Sequence, residues 1–206
     1  MATMLYQGHG SYRFVLEDGT VVYVDPFAGE GYDLPADVVF VTHEHFDHNH
    51  VDKMPRNAEC TIVRASDVHP CPNEYLTVDV HGVRVTAVQA YNKNHPVDEC
   101  VGLVLELDGV SFYASGDTSM TDDMRSGKLA NMAIDYAVFP GDGFFNMDVD
   151  EASECAKLVD AQHSIPVHLV PVNDPGDPAQ LFSQESAEQF QARGRIILAP
   201  GDELEL

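Results

Sequence analysis

The sequence is poor in basic residues, with 11 lysines and arginines against 34 aspartates and glutamates and a formal net charge of −23. A surface with this excess of negative charge repels the phosphate backbone of nucleic acids. We therefore expect no nucleic-acid partner and favour a small-molecule substrate. The acidity of most surface positions is interpreted as a contribution to solubility or to tolerance of salt.

Long apolar runs and paired cysteines are also missing. No run approaches the roughly 20 apolar residues that a membrane-spanning helix needs, and the N-terminus lacks the basic and apolar segments of a signal peptide. The four cysteines, Cys60, Cys71, Cys100 and Cys155, form no Cys-x-x-Cys pair. We expect reduced thiols in a cytoplasmic protein without a membrane partner.

The chain of 206 residues is long enough for one domain with a sizeable core and short for two, so we expect a single domain over residues 1–206. Short β-branched runs between Gly, Pro, Asp and Asn predict ten strands. These are Tyr12–Leu16, Val21–Val24, Val38–Thr42, Thr61–Arg64, Val83–Ala90, Gly102–Leu107, Ser111–Ala114, Tyr136–Phe139, Ile165–Leu169 and Arg195–Leu198. Hairpin turns are predicted at Glu17-Asp18-Gly19 and at Asp108-Gly109.

Helices are fewer than strands. The pattern predicts them over Asp150–Ala161 and Ser183–Arg193, with a shorter one starting near Thr121 or Asp122. Many strands with helices spread along the chain indicate two packed sheets with helices outside.

Metal-binding side chains are concentrated directly after one predicted buried strand. Val38–Thr42 is followed by His43, His45, Asp47 and His48. Residues two apart in an extended chain point the same way, so the first two histidines can address one point. Asp47 and His48 come at the next turn and can address a second point nearby. Imidazole and carboxylate together suit zinc, manganese or iron, so this run predicts a metal site.

The spacing His43-x-His45-x-Asp47-His48 resembles the signature of the metallo-β-lactamase superfamily. Further segments resemble family motifs in the expected order, and the first two of them resemble the branch that includes L-ascorbate-6-phosphate lactonase. These segments are Gly8-His9-Gly10-Ser11, Val24-Asp25-Pro26-Phe27, Ser115-Gly116-Asp117-Thr118 and Ile165-Pro166-Val167-His168. The resemblance implies an α/β fold, the four-layer αββα sandwich.

The same resemblance implies a binuclear site whose ligands are distant in the chain. The implied ligands are His43 and His45 for the first metal, Asp47, His48 and His168 for the second, and Asp117 as the bridge. Asp47 and Asp117 are also the candidate catalytic residues that hold and receive the proton. Asp25 is interpreted either as orienting one of the ligating histidines or as part of an ordinary strand-end turn with Pro26. The expected cofactors are two divalent metal ions, with zinc preferred and manganese and iron as alternatives.

One position departs from the family pattern. Many members place a further first-metal histidine directly after the strand that corresponds to Val83–Ala90, where this chain has Tyr91 and Asn92. His95 follows a few residues later, and we predict that it is the missing ligand. The alternative is that His95 binds substrate while Asn92 or water completes the metal shell.

Three residues are candidates for substrate binding. They are His9, Asn92 and Phe144; a loop histidine and a core phenylalanine are the ordinary interpretations of the first and last.

The expected activity is that of a metal-dependent hydrolase. Two divalent ions lower the pKa of a bridging water, and the resulting metal-bridged hydroxide attacks a small ester, lactone or phosphoester. A fold does not determine the substrate, so these classes stay open. The alternative is a metal-binding protein without hydrolytic turnover, serving as a sensor, store or interaction module. Homo-oligomerisation is left open as well.

Overall fold

The computed structural model of the chain describes residues 1–172, 177 and 180–206. Two six-stranded sheets form its centre, with the strand orders β12-β1-β2-β3-β4-β5 and β11-β10-β9-β8-β7-β6. In chain order the strands are β1 Thr3–Gly8, β2 Ser11–Val15, β3 Val21–Val24, β4 Ala36–Val41, β5 Arg56–Arg64, β6 Thr77–Val80, β7 Val83–Gln89, β8 Val101–Leu107, β9 Val110–Ala114, β10 Tyr136–Pro140, β11 His163–Val167 and β12 Glu203–Glu205.

Four α-helices are present among the described residues. They are α1 Ala65–Val68, α2 Asp122–Arg125, α3 Val149–Val159 and α4 Gln184–Gln189. Side chains of Thr121, Asp148 and Ser183 cap the last three by accepting a bond from a backbone N–H of the first turn. The predicted helix starts are therefore confirmed to within about a residue.

The main hydrophobic core lies between the sheets. Phe14 and Phe40 of the first sheet are fully buried there with Leu105 and Phe112 of the second. The alternate residues of β4 face the other way, where Val39 packs in a second cluster. This central strand is thus apolar on both faces, which explains its unbroken hydrophobic run.

The outer layers differ in structure. Helices α2, α3 and α4 cover the second sheet through a cluster that includes Met124, Cys155 and Phe190. The loops between β3 and β4 and between β4 and β5 cover the first sheet with turns and bends. The α/β sandwich is therefore confirmed. Within the described ranges, no helix is long and apolar enough to cross a membrane.

Several secondary-structure predictions were wrong or incomplete. Arg195–Leu198 is not a strand, because it contributes only a single bridge between Arg195 and Ser164. Helix α4 ends at Gln189, four residues before the predicted end at Arg193. Strands β1, β6 and β12 were not predicted. Both predicted hairpins are present, and Asp108 and Gly109 have φ of 52° and 86°, as the two-residue turn requires.

The topology brings several polar loops to one end of the sandwich. Strands β1, β3, β4 and β5 run in one direction in the first sheet, and β7, β9, β10 and β11 run in one direction in the second. The carboxyl ends of these strands carry every residue that was predicted as a metal ligand.

Candidate metal centre

A first group of three histidines is assembled from two loops. Ring nitrogens of His43, His45 and His95 lie within 4.8 Å of one another. Asn92 Oδ1 accepts a hydrogen bond from Nδ1 of His95 at 2.9 Å. Because the carboxamide oxygen only accepts, this bond fixes the tautomer of His95 and leaves the lone pair of Nε2 for a ligand.

A second group contains His9, Asp47, His48 and His168, whose ligand atoms also lie within 4.8 Å of one another. His9 Nε2 is 3.1 Å from Asp47 Oδ2, and the rings of His9 and His168 have centroids 3.5 Å apart. His9 and His168 both adopt positive φ, 54° and 47°, at the ends of buried strands. These turns aim both imidazoles into the same space.

Asp117 stands between the two groups. Its Oδ1 is 3.3 Å from His48 Nε2, and its Oδ2 is 3.3 Å from His95 Nε2 and 3.4 Å from His168 Nε2. The carboxylate therefore contacts histidines of both groups, as expected for a bridging ligand. Gly116 permits this approach, because a Cβ there would lie 2.9 Å from the Val101 carbonyl oxygen.

The ring nitrogens that face this centre lack hydrogen-bond partners. Nε2 of His43, His48, His95 and His168 is buried and unpartnered. Buried polar atoms in proteins are nearly always satisfied, so four such atoms around one carboxylate form an arrangement suited to binding a cation. Imidazole nitrogens and carboxylate oxygens are the ligands that zinc and similar divalent ions accept, and the residues present fit such ions.

Two hydrogen-bonded chains support the ligands from behind. In the first, His43 Nδ1 lies 3.1 Å from Thr42 Oγ1, which donates to Asp25 Oδ2 at 2.6 Å. The same Asp25 oxygen is 2.9 Å from His48 Nδ1. Asp25 thus contacts a candidate ligand in the way that the sequence indicated, and it links one histidine of each group.

The second chain was not predicted. Asn92 Nδ2 donates to Asn146 Oδ1 at 2.9 Å, and Asn146 Nδ2 donates to Asp142 Oδ2 at 2.9 Å. Asp142 Oδ2 lies 3.1 Å from His168 Nδ1. This chain therefore joins His95 of the first group to His168 of the second. The signal in the sequence was Asp142, placed between two glycines directly after a buried strand.

The buried histidines fall into two kinds according to whether their surroundings lower or raise the pKa of the imidazole. Burial and the neighbouring His48 lower the pKa of His43 well below its usual value, and burial with His168 lowers that of His9 to about 4. Burial also disfavours the charged form of His168, but Asp117 and Asp142 outweigh it and raise its pKa to about 10. His168 and His48 in turn hold the pKa of Asp117 well below its usual range, against the effect of burial. Asp117 is thus an anion matched to cations.

A cleft of about 500 Å³ opens onto this centre. It is lined by Glu44, His45, Phe46, Asp47, Asn94, His95, Asp117, Phe145 and Val172. Of the predicted substrate residues, Asn92 uses its amide on His95 and Asn146, and Phe144 lies outside this lining with 62% of its surface exposed. Substrate contacts of His9, Asn92 and Phe144 stay predictions.

The fold and the site together define a metal-dependent hydrolase of the metallo-β-lactamase superfamily. Residues 3–168 match the family model described as beta-lactamase superfamily domain. Two solved structures are similar over nearly the whole chain. A putative metal-dependent hydrolase from Parabacteroides distasonis has a TM-score of 0.73 and 23% identity, covering 96% of this chain and 91% of that one. A putative zinc-dependent hydrolase of the metallo-β-lactamase superfamily from Thermotoga maritima has a TM-score of 0.65 and 18% identity, covering 96% and 98%.

Curated relatives narrow the family further. A metal-dependent hydrolase of family UPF0173 from Thermococcus kodakarensis is 27% identical over the full length of both chains. Another from Nitratidesulfovibrio vulgaris is 32% identical over 79% of this chain and 78% of its own. The chain therefore belongs to the UPF0173 metal-dependent hydrolases of the beta-lactamase superfamily.

Proposed function

We propose that the protein hydrolyses a small ester, lactone or phosphoester at a centre of two divalent metal ions, with zinc as the preferred ion. The observation that carries this proposal is the position of Asp117, within 3.4 Å of imidazole nitrogens from both histidine groups. When bound, two such ions would lower the pKa of a water between them and polarise the oxygen that develops charge.

The chain's own residues would orient the reactants and move the proton. Asp47 Oδ2 lies within hydrogen-bond distance of His9 Nε2, so these two side chains can pass a proton between them at the mouth of the centre. Asp117 is the second carboxylate able to hold a proton there. His43, His45 and His95 would hold the first ion, and Asp47, His48 and His168 the second.

The position of His95 argues against the alternative that the protein only stores metal. That alternative depended on the departure from the family pattern at Tyr91 and Asn92. The fixed tautomer of His95 and its place beside His43 and His45 support a complete first site. A lactone is one of the three proposed substrate classes, and the segments that resemble the lactonase branch support it. A cytoplasmic location is also proposed, supported by four free cysteines.

The test is a panel of chromogenic esters, lactones and phosphoesters, assayed with protein loaded with zinc or manganese. We expect turnover on at least one class, abolished by chelation and reduced by about 100-fold or more in Asp117→Ala, since even residues behind metal ligands contribute 10–100-fold. Asp150→Ala, an exposed carboxylate of α3, is the matched control. Metal content of His95→Ala should fall from two ions per chain towards one. Full occupancy without turnover on any class would contradict the proposal.

A further inference from the structure

Exposed aromatic side chains are concentrated beside the cleft. Phe46 is 61% exposed, Phe144 62% and Phe145 39%, and the described residues contain only three other large hydrophobic side chains with comparable exposure. Phe46 and Phe145 line the cleft from opposite loops, and Phe144 packs edge-on against Phe145 with ring centroids 4.7 Å apart. Exposed apolar groups clustered at a concave site indicate a ligand-binding surface.

The apolar surface continues into the protein. Phe46 packs edge-on against buried Phe27, with ring centroids 5.6 Å apart. Phe27 belongs to a small buried cluster with Val172, which also lines the cleft. Asn94 Nδ2 donates to the carbonyl oxygen of Phe145 at 2.8 Å and so fixes the opposite wall. Both walls of the cleft are therefore supported and not formed by freely moving side chains.

Positive charge is scarce around the same cleft. Its described lining contains no lysine or arginine, and neither does the sequence of residues 173–179. Arg64 Nη1, the cation near its rim, lies 2.7 Å from both carboxylate oxygens of Glu44. Lys93 lines a neighbouring depression with Asp148 and Glu151, and this depression shares Phe145 with the cleft. Within the described lining of the cleft, a phosphorylated substrate would thus find carboxylates but no lysine or arginine.

We propose that the cleft accepts a neutral ester or lactone carrying an apolar group, which packs on Phe46 and Phe145, and that it disfavours phosphorylated substrates. Phosphate recognition in proteins depends on charge-assisted bonds from arginine or lysine, whereas an apolar group gains free energy by leaving water. The inference rests on the proposed hydrolase function. In the reaction, water adds to the carbonyl carbon and the bond to the alkoxy oxygen breaks. The proton of the water goes to the leaving oxygen, giving a carboxylic acid and an alcohol.

The experiment compares three probes on the metal-loaded protein: 4-nitrophenyl acetate, 4-nitrophenyl hexanoate and 4-nitrophenyl phosphate. We expect kcat/KM to be about tenfold or more higher for hexanoate than for acetate, because each methylene in an apolar pocket adds discrimination. Turnover of the phosphate should be at least about 100-fold lower than that of hexanoate. A neutral alkyl δ-lactone and a sugar-phosphate lactone form a second matched pair, with the same order expected.

Variants locate the preference in the aromatic walls. Phe145→Ala should raise KM for hexanoate by about tenfold with kcat within about twofold, and Phe145→Leu should restore most of the affinity. Phe46→Ala should also lower the ratio of hexanoate to acetate turnover, with metal content measured because its neighbours are ligands. Leu158→Ala, an exposed apolar residue of α3, is the control and should keep the wild-type ratio.

The outcomes separate this inference from the proposed function. A higher kcat/KM for the phosphate or the sugar-phosphate lactone, lost in Lys93→Ala, overturns the apolar preference and leaves the hydrolase intact. Equal rates on acetate and hexanoate, unchanged by Phe145→Ala, also overturn it. Absence of turnover on every probe with both metal positions filled overturns the proposed function itself.

Discussion

Gly10 shows how a single residue can set the position of a metal ligand. A Cβ at this position would lie 2.8 Å from Cε1 of His48, closer than a real Cβ contact allows. The ring of His48 cannot swing away without breaking its contact with Asp25 at 2.9 Å. We predict that Gly10→Ala lowers metal content from two ions per chain towards one and lowers kcat by about 10- to 100-fold.

The measurement is elemental analysis together with steady-state kinetics. Gly19→Ala is the control, because a Cβ there meets nothing within 4 Å while φ of 91° strains the turn. That variant should lose about 1 kcal/mol or more of stability and keep both metals. Retention of two tightly held ions in Gly10→Ala would show that His48 tolerates displacement.

Residues were predictable from sequence where several ligands occur close together in the chain. His43, His45, Asp47 and His48 follow one strand, so their convergence depends only on local geometry. Asn92 was predicted as a substrate residue, and its hydrogen bond with His95 was not foreseen, because a loop had to fold back to bring that histidine to the centre. Such a side-chain pairing depends on loop conformation that the sequence does not encode by any simple period.

At the scale of elements, two loops of the second sheet act together through Asn146. It accepts from Asn92 and donates to Asp142, so it connects the loop after β7 to the loop after β10. We predict that Asn146→Ala leaves Asn92 Nδ2 without its acceptor and Asp142 Oδ2 with one donor fewer, and that it lowers kcat by about 10- to 100-fold. Circular dichroism should show an unchanged fold.

Asn146→Asp provides the more specific comparison. The carboxylate still accepts from Asn92 but cannot donate to Asp142, so it should restore the His95 side of the chain and not the His168 side. Extended X-ray absorption or metal titration of the two variants measures this difference. The exposed Asn131→Ala, in the turn before β10, is the control. Equal affinity for both ions in all three variants would contradict the positioning role.

Two of the three strands that sequence analysis failed to predict, β6 and β12, are short strands at the edges of their sheets. Strand β12 has three residues, two of them acidic, and β6 has four residues on the edge of its sheet. Both are stabilised by a neighbouring strand more than by their own composition. Arg195–Leu198 has the opposite character, since Ile196 and Leu198 pack against the core while the segment forms no ladder. In this chain an apolar, β-branched composition indicates burial, whereas strand pairing depends on whether another strand lies alongside.

At the scale of the whole molecule, the site is built from residues at the strand ends of both sheets. His9, His43 and His48 extend from strands of the first sheet, and His95, Asp117 and His168 from strands of the second. The order of the motifs was readable from the chain because each follows a strand end. Their meeting at one point follows from the parallel directions of those strands, which required the topology.

This arrangement predicts that removing metal lowers the stability of the entire domain. A ligand that binds only the folded state, present at about 1,000 times its Kd, contributes about 4 kcal/mol, and 1 kcal/mol shifts the Tm of a domain of this size by about 2–4 °C. Chelation should therefore lower Tm by about 10 °C or more, and stoichiometric zinc should restore it.

In Asp117→Ala, which loses the carboxylate shared by both groups, zinc should raise Tm by less. Hydrogen exchange should increase first in the loops after β4, β7 and β11, since the ligand side chains of these loops meet at the centre. The hairpin at Asp108-Gly109, at the opposite end, should stay protected until global unfolding. An unchanged Tm in protein proven free of metal would mean that the sheets are held together by their apolar core alone.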